Sequence, residues 1–146
     1  MKLIRWSAFL VGAGLLAALP VWAHHSFAAE YDDTKPVTLT GSVTKVEWMN
    51  PHIWIYVDAK DDSGKMTKWQ CEGGAPNSLT RNGWHKNSLK PGDNITIDGY
   101  RSKDGTNTCN SRSVTLADGR SLFAGSSADG GPVDLRGKGK GRGRGK

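Results

Sequence analysis

Cleavage after Val21-Trp22-Ala23 would leave His24 at the amino terminus of the mature chain, where an α-amino nitrogen and a ring nitrogen sit side by side and His25 adds a second imidazole at once. His52 supplies a third ring. It opens an alternating segment in which His52, Trp54 and Tyr56 share one face, so a chain end folded across that face would bring His24 or His25 beside it. A site built from His24, His25 and His52 is rich in nitrogen and has no thiolate. Such donors favour copper(II), with nickel or zinc as the alternatives. Protons compete for the α-amino group, whose ordinary pKa is about 7.7–8.0, and for histidine at about 6.5, so binding of this kind weakens in acid. The plainer reading of the same residues is a loose chain end and a His52 that hydrogen-bonds at the Asn50-Pro51 corner.

The cleavage expectation rests on order. Lys2 and Arg5 precede an apolar run from Ala8 to Val21, and small residues occupy Val21 and Ala23, as in a secretory signal peptide over residues 1–23. The apolar run is shorter than the roughly 20 residues a spanning helix needs, and Pro20 interrupts its end, so no transmembrane segment is expected after cleavage. The expected destination is the periplasm or the exterior. Gly12-Ala13-Gly14-Leu15-Leu16-Ala17 fits a dinucleotide fingerprint in letters, but it follows no strand and lies within the segment to be removed.

Charge is divided unevenly along the chain. The whole sequence carries +6, yet setting aside Lys2, Arg5 and the tail beyond Leu135 leaves 12 Lys and Arg against 14 Asp and Glu. Arg136, Lys138, Lys140, Arg142, Arg144 and Lys146 alternate with glycine, which gives positive charge with nothing to bury. Residues 126–146 therefore read as a disordered basic tail. Its attraction to phosphate is not sequence-specific, and for an exported chain an anionic envelope surface is a better match than nucleic acid. Residues 24–125 remain as one small domain.

The elements that must position the histidines are strands. Val37, Leu39, Gly41 and Val43 keep one parity and Val46 and Trp48 the other, which predicts a long first strand with a bulge near Thr44-Lys45. Ile53, Ile55 and Val57 predict a second strand that turns its inner face away from His52, Trp54, Tyr56 and Asp58. Asp61-Asp62-Ser63-Gly64 makes a turn, and Met66 to Glu72 gives a third strand with Thr67, Trp69 and Cys71 on one face. After Gly73-Gly74-Ala75-Pro76, Asn77 or Ser78 would cap a short helix over Leu79 to Asn82 that stops at Gly83. A fourth strand spans Asn94 to Arg101. Beyond a polar loop from Ser102 to Thr108, Arg112 to Ala117 and Arg120 to Ala124 flank Asp118-Gly119 as a two-residue hairpin. Three strands, a short helix and further strands predict a mainly all-β fold: a small OB-like five-stranded barrel with a C-terminal hairpin arm, or else an open sandwich of the same strands.

Four stretches carry a resemblance. His24-His25-Ser26-Phe27, Trp48-Met49-Asn50-Pro51-His52, Gly73-Gly74-Ala75-Pro76-Asn77-Ser78-Leu79 and Leu89-Lys90-Pro91-Gly92-Asp93 together resemble the domain of unknown function 6152 family, small exported bacterial proteins. The likeness spans about Ala23 to Gly125. It implies export and one compact domain, and no activity. The glycine-basic tail and the two cysteines stand outside the pattern of that family.

Cys71 and Cys109 are the whole cysteine complement, and in an exported chain an even count permits a disulfide. Two free thiols are the alternative. The sequence holds no Gly-x-Ser-x-Gly elbow, no phosphate-binding loop and no His-Glu-x-x-His, so no catalytic residues are named and an enzyme is the less favoured class. Asp32, Asp33, Glu47 and Asp58 read as solvated charges. A binding module follows more directly, because OB-type barrels offer one face to ligands and Trp54 and Tyr56 would form an aromatic platform beside His52. Its partner would be a metal ion or small ligand. The competing class is a structural or interaction protein of the cell envelope that binds no metal and contacts anionic surfaces through its tail.

Overall fold

The computed structural model describes residues 27–60 and 64–125. Helix α1 (Phe27–Glu30) leads into β1 (Tyr31–Glu47), followed by β2 (Trp54–Lys60), β3 (Met66–Glu72), α2 (Pro76–Arg81), β4 (Asn94–Ser102), β5 (Thr108–Leu116) and β6 (Ser121–Phe123). The fold is mainly β, as expected. Strand β1 pairs antiparallel with β2 on one side and β4 on the other. Its register shifts between Val43 and Lys45, so that Val43 stands opposite Val57 and Lys45 opposite Tyr56. The extra residue is Thr44. It reverses the parity of the strand, which lets Leu39 and Val43 face inward before it and Val46 pack against the core after it. At Gly41 the two strands come so close that a Cβ would lie 2.1 Å from the Asp58 carbonyl oxygen. Only glycine fits there.

Closure comes from β5. One edge of this strand is antiparallel to β4 from Ile95 to Arg101. Its other edge is shared: residues Thr108 to Asn110 run parallel to Gln70 to Glu72 of β3, and Ser113 to Thr115 pair with β6. The β3–β5 seam turns an open meander into a ring in the order β1, β2, β3, β5, β4, with α2 between β3 and β4. That is the OB-like order expected, and it sets aside the open sandwich. The disulfide Cys71–Cys109 crosses the seam at its middle pair, both residues fully buried. In the chain-entropy account, closing this 38-residue loop stabilises by about 3–4 kcal/mol.

Strict alternation on β2 explains the core. Ile53, Ile55, Val57 and Ala59 are buried, and with Trp69, Ile97, Val114 and Leu79 they fill the ring. Helix α2 closes one end. It begins earlier than expected, at Pro76, and Ala75 caps it without any side-chain hydrogen bond; neither Asn77 nor Ser78 serves. Proline at the first helical position needs no N–H partner, which removes the demand for a polar cap. Gly83 follows with φ +88°, and the chain then buries Trp84, whose Nε1 donates to the Phe123 carbonyl at 2.7 Å. The Gly73-Gly74 corner receives the end of β6: the Gly74 N–H donates to the Ala124 carbonyl at 2.8 Å, and a Cβ on Gly74 would meet Gly125 O at 2.5 Å.

Three expectations about boundaries are corrected. Strand β1 begins at Tyr31, six residues before Val37, with an irregular pairing between Tyr31 and Pro36. Strand β5 begins at Thr108, so Cys109 lies in a strand and not in the loop before it. The last hairpin also has a longer loop than Asp118-Gly119: Leu116 donates to the Arg120 carbonyl at 2.8 Å, leaving three residues between, with Gly119 at φ +83°. A three-residue loop with glycine in the left-handed position is the next hairpin solution after the two-residue one. Of the expected Asp61-Asp62-Ser63-Gly64 turn, the first three residues lie outside those described. Among the described residues no helix is long and apolar enough to cross a membrane.

Candidate functional site

The outer face of β2 and β3 is set by register. Burial of Ile55 and Val57 turns Trp54 and Tyr56 outward, and burial of Cys71 turns Gln70 and Glu72 the same way; the strands pair Trp54 with Glu72 and Tyr56 with Gln70. His52 sits just before β2, after the cis Asn50–Pro51 bond.

Glu72 is the hub of this face. Its side chain is 13% exposed, and its two oxygens hold different partners: Oε1 meets His52 Nδ1, and Oε2 accepts the Tyr31 hydroxyl at 2.6 Å. Tyr31 is buried. Burial first, and the bond to the Glu72 carboxylate second, push its phenol well above the ordinary tyrosine value, so Tyr31 stays a hydrogen-bond donor. With Nδ1 committed, Nε2 is the His52 nitrogen that makes no hydrogen bond among the described residues. Phe27 extends the cluster: its ring stacks on Tyr31 at 5.7 Å between centroids and meets Tyr100 edge-on at 5.6 Å. Contacts therefore run unbroken from Phe27, two residues after His25, to His52.

The two platform aromatics have different surroundings. Trp54 is half-buried and lines an open cleft of about 630 Å³ together with Tyr31, Gln70 and the β4–β5 loop. Tyr56 is engaged elsewhere. Its hydroxyl donates to Glu47 Oε2 at 3.1 Å, and Lys45, ion-paired with Glu47, lies 5.2 Å from the centre of its ring. Partial burial and the Glu47 carboxylate raise the Tyr56 phenol. Glu47, read from the sequence as a solvated charge, is the acceptor in this group.

His24, His25 and the basic tail of residues 126–146 lie outside the described residues, as does the leader. Among the described residues no group of three or more His, Cys, Asp or Glu side chains could hold a metal ion. Cys71 and Cys109 are oxidised to each other and offer no thiolate. His52 with Glu72 is thus one metal-capable imidazole and the carboxylate that orients it, an arrangement common around metal-bound histidines.

Sequence reasoning passed over Glu72 and Tyr31. For Glu72 the signal was available: Cys71 inward on β3 forces Glu72 outward, onto the face of His52 and Trp54. For Tyr31 none existed, because the polar stretch Asp32 to Lys35 hides the start of β1.

No curated protein matches the chain. The model of a family of unknown function, DUF6152, matches residues 13–111, a stretch that takes in Phe27, Tyr31, His52, Trp54, Glu72 and both cysteines and stops short of β6. Covering well over half of the sequence, this match makes the chain a member of the domain of unknown function 6152 family.

Proposed function

We propose that the protein is an exported binding module that takes a transition-metal ion, copper(II) first and zinc or nickel after it, through His52 Nε2 and the amino-terminal His24 and His25. The observation that carries this reading is the Glu72 carboxylate fixed on His52 Nδ1, which orients the ring and leaves the other nitrogen for a ligand. The contacts from Phe27 through Tyr31 and Glu72 support the joint role of the chain end, since His25 lies within two residues of that path. Export is supported by the leader pattern and by the Cys71–Cys109 bond, which persists in oxidising compartments.

The test is copper(II) titration, by calorimetry and electron paramagnetic resonance, of the chain beginning at His24. Its controls are a chain with one residue added before His24 and a His52→Ala chain. The expected result is one-to-one binding weakened by both changes, with a nitrogen-rich resonance that loses one imidazole in His52→Ala. Equal binding in all three, or none, overturns the reading.

A further inference from the structure

The cleft beside Trp54 has a composition of its own. It is lined by Gln70 and Thr108, partners across the β3–β5 seam, by Tyr31 and Trp54, and by Lys103 and Asp104 of the β4–β5 loop. Two aromatic residues thus share this lining with uncharged polar side chains.

The polar groups are already fixed in place. Gln70 donates its amide N–H to Thr108 Oγ1 at 3.0 Å, and the Thr108 hydroxyl donates in turn to Thr106 Oγ1 at 2.8 Å, whose own proton goes to Asp104. This orients the Gln70 amide, whose Oε1 makes no hydrogen bond among the described residues. Asp104 Oδ1 gathers the Ser102 hydroxyl at 2.6 Å, the Thr106 N–H at 2.9 Å and the Thr106 hydroxyl at 2.8 Å, so the loop is tied by its own carboxylate while Oδ2 remains an acceptor. The Trp54 indole N–H is a donor without a protein acceptor among the described residues. Lys103 Nζ is held by the Ala28 carbonyl at 2.6 Å.

Charge excludes one ligand class. Among the residues lining this cleft Lys103 is accompanied by Glu30 and Asp104, which leaves no excess of positive charge for a phosphate backbone. The groups on offer fit instead an uncharged ligand with hydroxyls that both donate and accept and with an apolar face to lay on an aromatic ring. An oligosaccharide has all three properties: equatorial hydroxyls at its rim and C–H groups on the face of each ring. The open form of the cleft admits a chain that continues beyond it.

We propose that the cleft between Tyr31, Trp54 and the β4–β5 loop is a neutral-oligosaccharide subsite, with Trp54 as the stacking surface and Gln70 Oε1 and Asp104 Oδ2 as hydroxyl acceptors. The site goes beyond the metal reading and needs neither amino-terminal histidine. It is tested on the full chain with EDTA present, which separates its failure from that of the copper site. Chitotetraose, cellotetraose and maltotetraose are titrated singly to about 10 mM and followed by nuclear magnetic resonance of the backbone amides; binding in the millimolar range corresponds to about 4 kcal/mol. Expected is saturable binding of at least one saccharide that moves the amides of Gln70, Thr106 and Thr108. Trp54→Ala and Gln70→Ala, each checked for an unchanged circular dichroism spectrum, should weaken it by about tenfold or more. Gln70→Ala, which removes no packed aromatic, keeps the test valid if Trp54→Ala fails to fold. Shifts confined to other surfaces, no saturable binding by any of the three, unchanged affinity in Gln70→Ala, or displacement of the saccharide by an oligothymidylate would each overturn the proposal.

Discussion

Breaking the Cys71–Cys109 bond should cost the protein a large fraction of its stability. The loop it closes has a sequence separation of 38 residues, and confining a loop of that length in the denatured chain is worth about 3–4 kcal/mol. A domain of this size has roughly 5–15 kcal/mol to lose. The seam beneath the bond is short, with three residue pairs from Gln70–Thr108 to Glu72–Asn110, so hydrogen bonding alone offers little to replace it. The perturbation is the double variant Cys71→Ala/Cys109→Ala, chosen because alanine adds no polar group to a fully buried pair. Urea unfolding followed by tryptophan fluorescence gives the stability. With m near 1.5–2 kcal/mol/M, the midpoint should fall by about 2 M, and the melting temperature by on the order of 15–25 °C. The slope m should rise, because the uncrosslinked denatured chain exposes more surface. The wild type unfolded with and without reductant should reproduce most of the difference. A loss under about 1 kcal/mol with unchanged m would refute the reasoning and mean that packing, not the cross-link, holds the ring closed.

Two further outcomes follow from side chains. Tyr31 has a phenol raised above 10.0 by burial and then by Glu72, so its stabilising effect is complete below about pH 10 and is lost as pH climbs toward the folded value. Denaturant midpoints measured from pH 9 upward should decline less steeply in Tyr31→Phe than in the wild type; parallel declines would contradict the assignment. Trp84→Phe leaves the Phe123 carbonyl without its 2.7 Å donor and removes part of a fully buried ring, for an expected loss of about 2–4 kcal/mol by thermal unfolding. A loss under 1 kcal/mol would show that α2 and β6 are not held together through this residue.

Periodicity made the middle of the fold legible, and polar strands hid its ends. On β2 every aliphatic residue faces inward, and the Thr44 bulge was visible because Val43 and Val46 break the alternation around it. The start of β5 was invisible: Thr108, Asn110 and Ser111 are polar by type yet buried, because β3 and β4 flank them. Their chemistry said loop and their neighbours made them strand. The site was half legible for the same reason. His52, Trp54 and Tyr56 could be placed on one face from β2 alone, whereas Glu72 needed the β2–β3 register and Tyr31 needed the β1–β4 pairing, both long-range facts.

The parallel seam also bears on how the protein behaves in a crowded solution. A strand with a free edge is a template for other chains, and β3 and the first half of β5 would each present one if they did not satisfy each other. Pairing Gln70 to Glu72 with Thr108 to Asn110 withdraws the end of the first template and the start of the second, and β6 covers the next stretch of β5. Ring closure is thus a guard against self-association as well as an element of the fold, and a chain caught with its seam apart would expose two pairing edges to its neighbours.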